Sequence, residues 1–342
     1  MKSGDGPIVV NAVATDLNFE NEPRCIGVEI EYAGLPLDQA AQIVRDMFGG
    51  EIVQTTNALF AVKDTSLGDF KLELDALPLQ KVAENTSTLE GKDDKDLLDE
   101  VGLHLGKVIG SFGAKIVPFE MVLPPVPISE LSKLDELIDK LRDAGALDTK
   151  DTFYSAFGLH LNPEAVALDA DYLVRHLKSY LLLSPWLKKR HKVDLTRRLT
   201  GFIEPFPKSY KELVLDNSYA PERSQLIADY HTHNPSRNRE LDMLPLFSFV
   251  DEDQVRGLYG SEEKINKRPT FHYRLPNCEL ANPDWSISLE FSRWHTVEQL
   301  AGDTDMLANL IEQWRRFQEN LLSFESEWLE ILNAVMGKDD GR

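Results

Sequence analysis

The chain has 342 residues, 42% of them apolar, enough for one large domain or two smaller ones with a packed core. A formal net charge of -20 and a pI near 4.8 disfavour nucleic acid and anionic lipid as partners, while a locally positive or metal-bearing pocket for a small anion stays compatible. Mean hydropathy is -0.30, and no apolar run reaches the roughly 18 residues of a membrane span. Only Cys25 and Cys278 occur, which excludes a disulfide framework.

Residues 1–20 read as an irregular lead-in. One Lys, early acids and no long apolar stretch argue against a secretory signal, and a reducing cytoplasm is the expected location. Ile26–Tyr32 reads as a strand. Gly34–Asp38 reads as a turn with Asp38 as N-cap, and Gln39–Phe48 as a helix stopped by Gly49-Gly50. Strands are expected over Glu51–Thr55, Leu59–Lys63 and Phe70–Asp75. Residues 84–96 are polar and loop-like, and Leu97–Ile109 looks helical.

Lys115–Leu123 reads as a strand ending at Pro124-Pro125. Ser129–Ala144 reads as a helix with Leu131, Leu134, Leu137, Ile138 and Leu141 inside. Phe157–Asn162 and Thr270–Leu275 are further strands. Helices are expected near 170–182 and 221–232. This order is not a regular strand–helix alternation, so an α+β fold is favoured. From Asp303 to Met336, apolar residues from Leu307 through Trp314 and Trp328 to Val335 follow a heptad stripe. The favoured reading is one long helix lying on its own domain. The alternative is a helical contact in a homo-oligomer.

The strands share a pattern. Glu29 and Glu31 alternate with Val28, Ile30 and Tyr32, so both carboxylates face one side. Two oxygen donors on a rigid strand can hold a hard cation such as Mg2+. Glu73, Glu120, His160 and Asn162, and His272 and Arg274 occupy the same kind of face. An ordinary wet face would favour Thr, Lys, Ser and Gln. These residue types suit metal or phosphate instead.

Taken in order, six segments resemble the amidoligase branch of the glutamine synthetase and glutamate–cysteine ligase superfamily, the ATP-dependent carboxylate–amine ligases. They are Gly27–Tyr32, Val62–Leu67, Phe119–Pro125, Gly158–Asn162, Arg237–Asp242 and Thr270–Arg274. The resemblance implies an antiparallel sheet with a polar active-site face and helices on the other. It implies a catalytic domain over residues 21–300, with 69–115 partly an insertion, followed by the helix and tail of residues 301–342.

It also implies a chemistry. ATP phosphorylates a small-molecule or peptide carboxylate, and an amine attacks the acyl phosphate. Mg2+, or Mn2+, would be held by Glu29, Glu31 and Glu120, with Glu73, Asp64 and His160 as additions. Arg274 would stabilise the transferring phosphoryl group. Arg239 or Arg237 would grip phosphate or a carboxylate, His160 and Asn162 would contact nucleotide, and Lys63 would neutralise substrate charge. Plainer readings stand beside these. Arg237 and Arg239 could cap the preceding helix, Asp64-Thr65-Ser66 could be only a turn, and His231 and His233 could be helix-end polarity.

Two features depart from the superfamily pattern. His272 stands where a Glu is usual, two positions before the Arg. Residues 69–115 separate Glu120 from the Asp-x-Ser segment, and Glu73 offers a rival carboxylate. The alternatives to a ligase are a catalytically degenerate relative serving as a binding or scaffold module, and a metal-dependent hydrolase.

Overall fold

A computed structural model describes residues 16–74, 118–148, 157–193, 203–235, 237–319 and 325–336. The expected loop at 84–96 and helix at Leu97–Ile109 lie outside the described residues. Among the described residues the fold is mixed α+β with antiparallel strand pairing, and no helix is long and apolar enough to cross a membrane. Contacts divide the chain into two compact units.

One unit comprises Gly27–His160 and Asn277–Ile287, and is called the sheet unit below. It contains β1 (Cys25–Tyr32, from Gly27 onward), α1 (Leu37–Phe48), β2 (Glu51–Thr56), β3 (Leu59–Thr65), β4 (Gly68–Leu74), β5 (Phe119–Pro127) and α2 (Leu131–Asp143), with the start of β6 (Leu159–Pro163). Its strands lie in the order β2-β3-β4-β5-β1-β6. Strict alternation makes one face apolar. Val28, Ile30, Tyr32, Phe60, Val62, Phe70, Leu72 and Met121 are buried there. Phe48 of α1 stacks on Phe70, and Tyr32 packs against Phe119, so these side chains share the helix-covered side.

Local chemistry explains most of the boundaries. In α1 the N-cap is Pro36, not the expected Asp38, which sits in the first turn where an acid complements the helix dipole. Gly49 ends the helix, and Gly50 follows at φ +90°, where a Cβ would come within 2.3 Å of the Lys63 carbonyl oxygen. All five expected α2 leucine and isoleucine positions are buried. Contrary to expectation, β5 runs through Pro124 and Pro125 to Pro127.

The other unit, called the helical unit below, comprises residues up to Ile26, Leu161–Pro276 and Ser288 onward. Its strands follow the order β1-β6-β8-β7, with β7 (Leu241–Asp242) and β8 (His272–Tyr273) two residues each. The expected strand at Thr270–Leu275 is thus shorter. Its helices are α3 (Ala170–Arg190), α4 (Lys208–Val214), α5 (Arg223–His233), α6 (Leu244–Val250), α7 (Glu252–Tyr259), α8 (Ile287–Gly302), α9 (Thr304–Glu319) and α10 (Glu325–Met336). Asp169 caps α3 by accepting the Tyr172 N–H.

The expected long C-terminal helix is two helices. Phe317 and Trp328 have ring centroids 5.7 Å apart. On one straight helix their positions would be separated by about 16 Å. Both α9 and α10 pack on α3, burying Leu307, Leu310, Ile311, Trp328 and Leu332, and Trp328 Nε1 donates to the Leu182 carbonyl at 3.0 Å. The stripe therefore does cover its own unit, as a folded pair rather than a single rod.

Candidate functional site

Opposite its apolar side, the sheet unit presents a face rich in carboxylates. On β4 and β5 the register sets Glu73 directly across from Glu120. The rival carboxylates of the sequence reading are thus neighbours. Lys71 Nζ lies 2.6 Å from Glu73 Oε1. On β1, the Glu31 N–H donates to the Gly158 carbonyl at 3.1 Å, and the Gly158 N–H donates to Glu31 Oε2 at 2.6 Å. That antiparallel register brings Glu29 opposite His160 two residues on. His160 Nδ1–H donates to Glu29 Oε2 at 2.9 Å, and its Nε2 lies 3.9 Å from Glu31 Oε1. One imidazole therefore stands between two carboxylates, all three largely buried.

The structure does not bring Lys63 and Asp64 to this group. Both are exposed, and Asp64 sits at φ +56° in the β3–β4 turn, where its N–H donates to Asp69 at 2.9 Å. Glu73 is opposite Leu59, four residues down β3 from Lys63, or about 13 Å along the strand.

A second group belongs to the helical unit. Asn162 Oδ1 accepts from His272 Nδ1 at 2.7 Å and from Arg268 Nη2 at 2.8 Å. Asp242 lies opposite His272 in the β7–β8 ladder. Its carboxylate takes Arg237 Nη2 at 3.3 Å and the Leu244 N–H at 3.0 Å. Burial pushes the Asp242 carboxyl up, and the neighbouring Arg237 charge opposes that shift. Arg274 Nη1 donates to the Arg237 carbonyl at 3.3 Å. Arg237 also donates to the Lys264 carbonyl, and Arg239 holds Glu204 at 3.1 Å and the Pro205 carbonyl at 2.9 Å. Neither arginine caps α5.

The family model described as "Putative amidoligase enzyme" matches residues 22–296. The chain belongs to the amidoligase family. A comparison with curated proteins found no match. Every segment quoted from the sequence for this resemblance lies inside the matched residues. Membership brings with it amide-bond ligase activity as the family's theme.

The carboxylate face suits a hard divalent cation. Like charges directly opposite on neighbouring strands destabilise each other. A cation bound at Glu73 and Glu120 would relieve that repulsion, and the carboxylate oxygens match the preferences of Mg2+ and Mn2+. Other singled-out residues have plainer surroundings. His231 packs edge-on against Tyr259, and His233 pairs with Ser209 at 3.0 Å, both in the last turn of α5. Cys25 and Cys278 are free thiols, and burial pushes Cys25 up, away from the nucleophilic thiolate.

Sequence reasoning missed Arg268, which precedes Pro269 and lies outside the alternating strand. Its only signal was a pair of cations, Lys267-Arg268, just before that strand. It also gave Asp242 no role, because an acid two residues after Glu240 looks like ordinary surface charge.

Proposed function

We propose that this amidoligase family member is an ATP- and Mg2+-dependent carboxylate–amine ligase, with Mn2+ able to replace Mg2+, that forms an amide bond through an acyl phosphate. The observation that carries the reading is the polar sheet face, with Glu73 opposite Glu120 and His160 bonded to Glu29 beside Glu31. In this reading the sheet is of the glutamine synthetase and glutamate–cysteine ligase type. Free Cys25 and Cys278 support a cytoplasmic location.

Glu29, Glu31, Glu73, Glu120 and His160 are the residues that would hold cation. When bound, the cation neutralises charge on the phosphoryl oxygens of ATP. Arg274 and Arg237 bind and orient phosphate, with Asp242 fixing the Arg237 fork. Asn162 aligns His272 and Arg268. Arg239 is tied to Glu204, so its task is to hold the Arg237–Asp242 segment. Lys63 and Asp64 take no part. The substrates are a carboxylate and an amine, each a small molecule or a peptide.

The test is release of ADP and phosphate by purified protein given ATP, Mg2+ and paired carboxylates and amines. Glu29→Ala should lower turnover by more than the roughly 10–100-fold typical of losing an outer-shell partner. A Glu29→Ala variant with full activity would sink the assignment of this face.

A further inference from the structure

Within the helical unit, one face of α3 carries a polar stripe. Tyr180, Ser184, Lys188 and His191 (the last at the C-cap) recur at spacings of four, four and three, within about 80° of the helix circumference at 100° per residue. Around them α3 is apolar, with Leu177, Leu181, Leu182, Leu183, Trp186 and Leu187 buried. The stripe residues are buried or nearly so, and their partners are specific. Tyr180 OH donates to Glu240 Oε2 at 3.0 Å, Ser184 Oγ donates to the same oxygen at 3.1 Å, and Lys188 Nζ pairs with Oε1 at 2.5 Å. His191 meets Glu290 through Nδ1 and the Tyr273 hydroxyl through Nε2. Arg293 holds Glu290 at 2.6 Å. Burial would raise the Glu290 carboxyl, yet the charges of His191 and Arg293 hold it below the usual carboxylate range.

Stability alone is a poor reason for this network. Buried charges are expensive to desolvate, and well-packed apolar residues of similar volume often hold a core as well or better. Such a network can supply register instead. Strands β7 and β8 have only two residues each, joined by Leu241–Tyr273 and Asp242–His272 pairs. Backbone ladder bonds are much the same in any register, and a slip of one residue would carry Tyr273 to the opposite face and turn His272 or Arg274 toward the core. Only the observed register lets Tyr273 reach His191 while Glu240 reaches Tyr180, Ser184 and Lys188. The Arg274 N–H, donated to the Glu240 carbonyl at 2.9 Å, ties the two locked residues to the arginine.

We propose that Tyr273, His191 and Glu240 are positioning residues that fix the register of β7 and β8 and thereby aim Arg274. The proposal rests on the phosphate-binding role given to Arg274 above.

The first arm of the test needs no turnover. In the full chain carrying Tyr273→Phe, amide hydrogen exchange should rise at least about tenfold at His272–Arg274, in line with local rather than global opening, and stay unchanged in β3. Tyr180→Phe, a milder change, should loosen Glu240–Asp242 in the same local way. An unchanged rate at these amides, or a uniform rise through both units, overturns the register lock. The second arm reads ADP release. Tyr273→Phe should lower kcat with the KM for ATP held within about twofold, and should cost nothing further in an Arg274→Ala background. Additive loss in the double variant overturns the proposal. A wild type that turns over no ATP, but still shows the local exchange pattern, removes the ligase reading and keeps the lock.

Discussion

Glu120→Gln tests the carboxylate face through stability, without requiring a known substrate. Glu73 and Glu120 are register partners on β4 and β5. Like charges so placed cost roughly 0.2–1 kcal/mol. Lys71, 2.6 Å from Glu73, already offsets part of that cost, so about 0.5 kcal/mol is expected back when the Glu120 charge is removed at constant shape. For a chain of 342 residues that is a rise in Tm of about 0.7 °C in chelator. Cation reverses the order. At about 100 times its Kd, Mn2+ stabilises the wild type by about 2.7 kcal/mol through mass action. The variant, one ligand short, should need roughly tenfold more Mn2+ or greater for the same gain. Thermal unfolding in chelator and across a Mn2+ titration should therefore give stability curves that cross. A variant less stable than wild type in chelator, or equal to it in its Mn2+ response, would refute the reasoning and make Glu120 a structural partner.

Acid should unfold the helical unit in two stages. His176 is lowered by burial to about 4 from an ordinary 6.5, so it is neutral when folded, and its contribution of about 3 kcal/mol is complete above pH 6.5 and lost as pH falls through 4. Glu298 is also buried, which would raise it, but bonds from His295 and Arg24 bring it to about 2 from 4.5. Its share of about 3 kcal/mol is complete above pH 4.5 and lost toward pH 2. Denaturant titrations from pH 7 to 3 should show a flattened profile for Glu298→Gln, and an unaltered profile would count against the assignment. Trp328→Phe removes the bond to Leu182 and part of a buried ring. It should cost about 1–3 kcal/mol and free α10 to exchange first, whereas equal protection of α10 in both proteins would deny that it is pinned there.

How much could be read from the sequence depended on where charge is buried. Strands β1 and β4 were legible because Glu29, Glu31, Lys71 and Glu73 alternate with apolar residues that enter one core. Helix α2 was legible because its five apolar positions keep helical spacing. Helix α3 was expected to stop near residue 182, yet runs to Arg190. Its continuation carries Ser184, Lys188 and, at its cap, His191, which look like solvent positions and are buried against Glu240, Glu290 and Tyr273. Helix α8 was missed for the same reason, since buried Glu290 and Glu298 erase its amphipathic pattern. Helices α4, α6 and α7, at seven or eight residues, make only about two turns, too few for periodicity to register. The C-terminal stripe misled in the opposite direction, because a heptad pattern reports which residues are covered and not whether the helix is continuous.

The departure at His272 can be judged by what its neighbours allow. Asn162 Oδ1 lies 2.7 Å from His272 Nδ1 and 2.8 Å from Arg268 Nη2. An amide oxygen only accepts, so two donors converge on it, and Nδ1 carries a proton. With Nδ1–H given to Asn162, Nε2 is the ring nitrogen on the other side. A glutamate at the same position would be drawn to Arg268 as an ion pair. The histidine instead leaves Arg268 to Asn162 and keeps one donor atom on the side away from that contact. Where the resemblance read from the sequence implies a Glu, position 272 carries an imidazole that Asn162 orients.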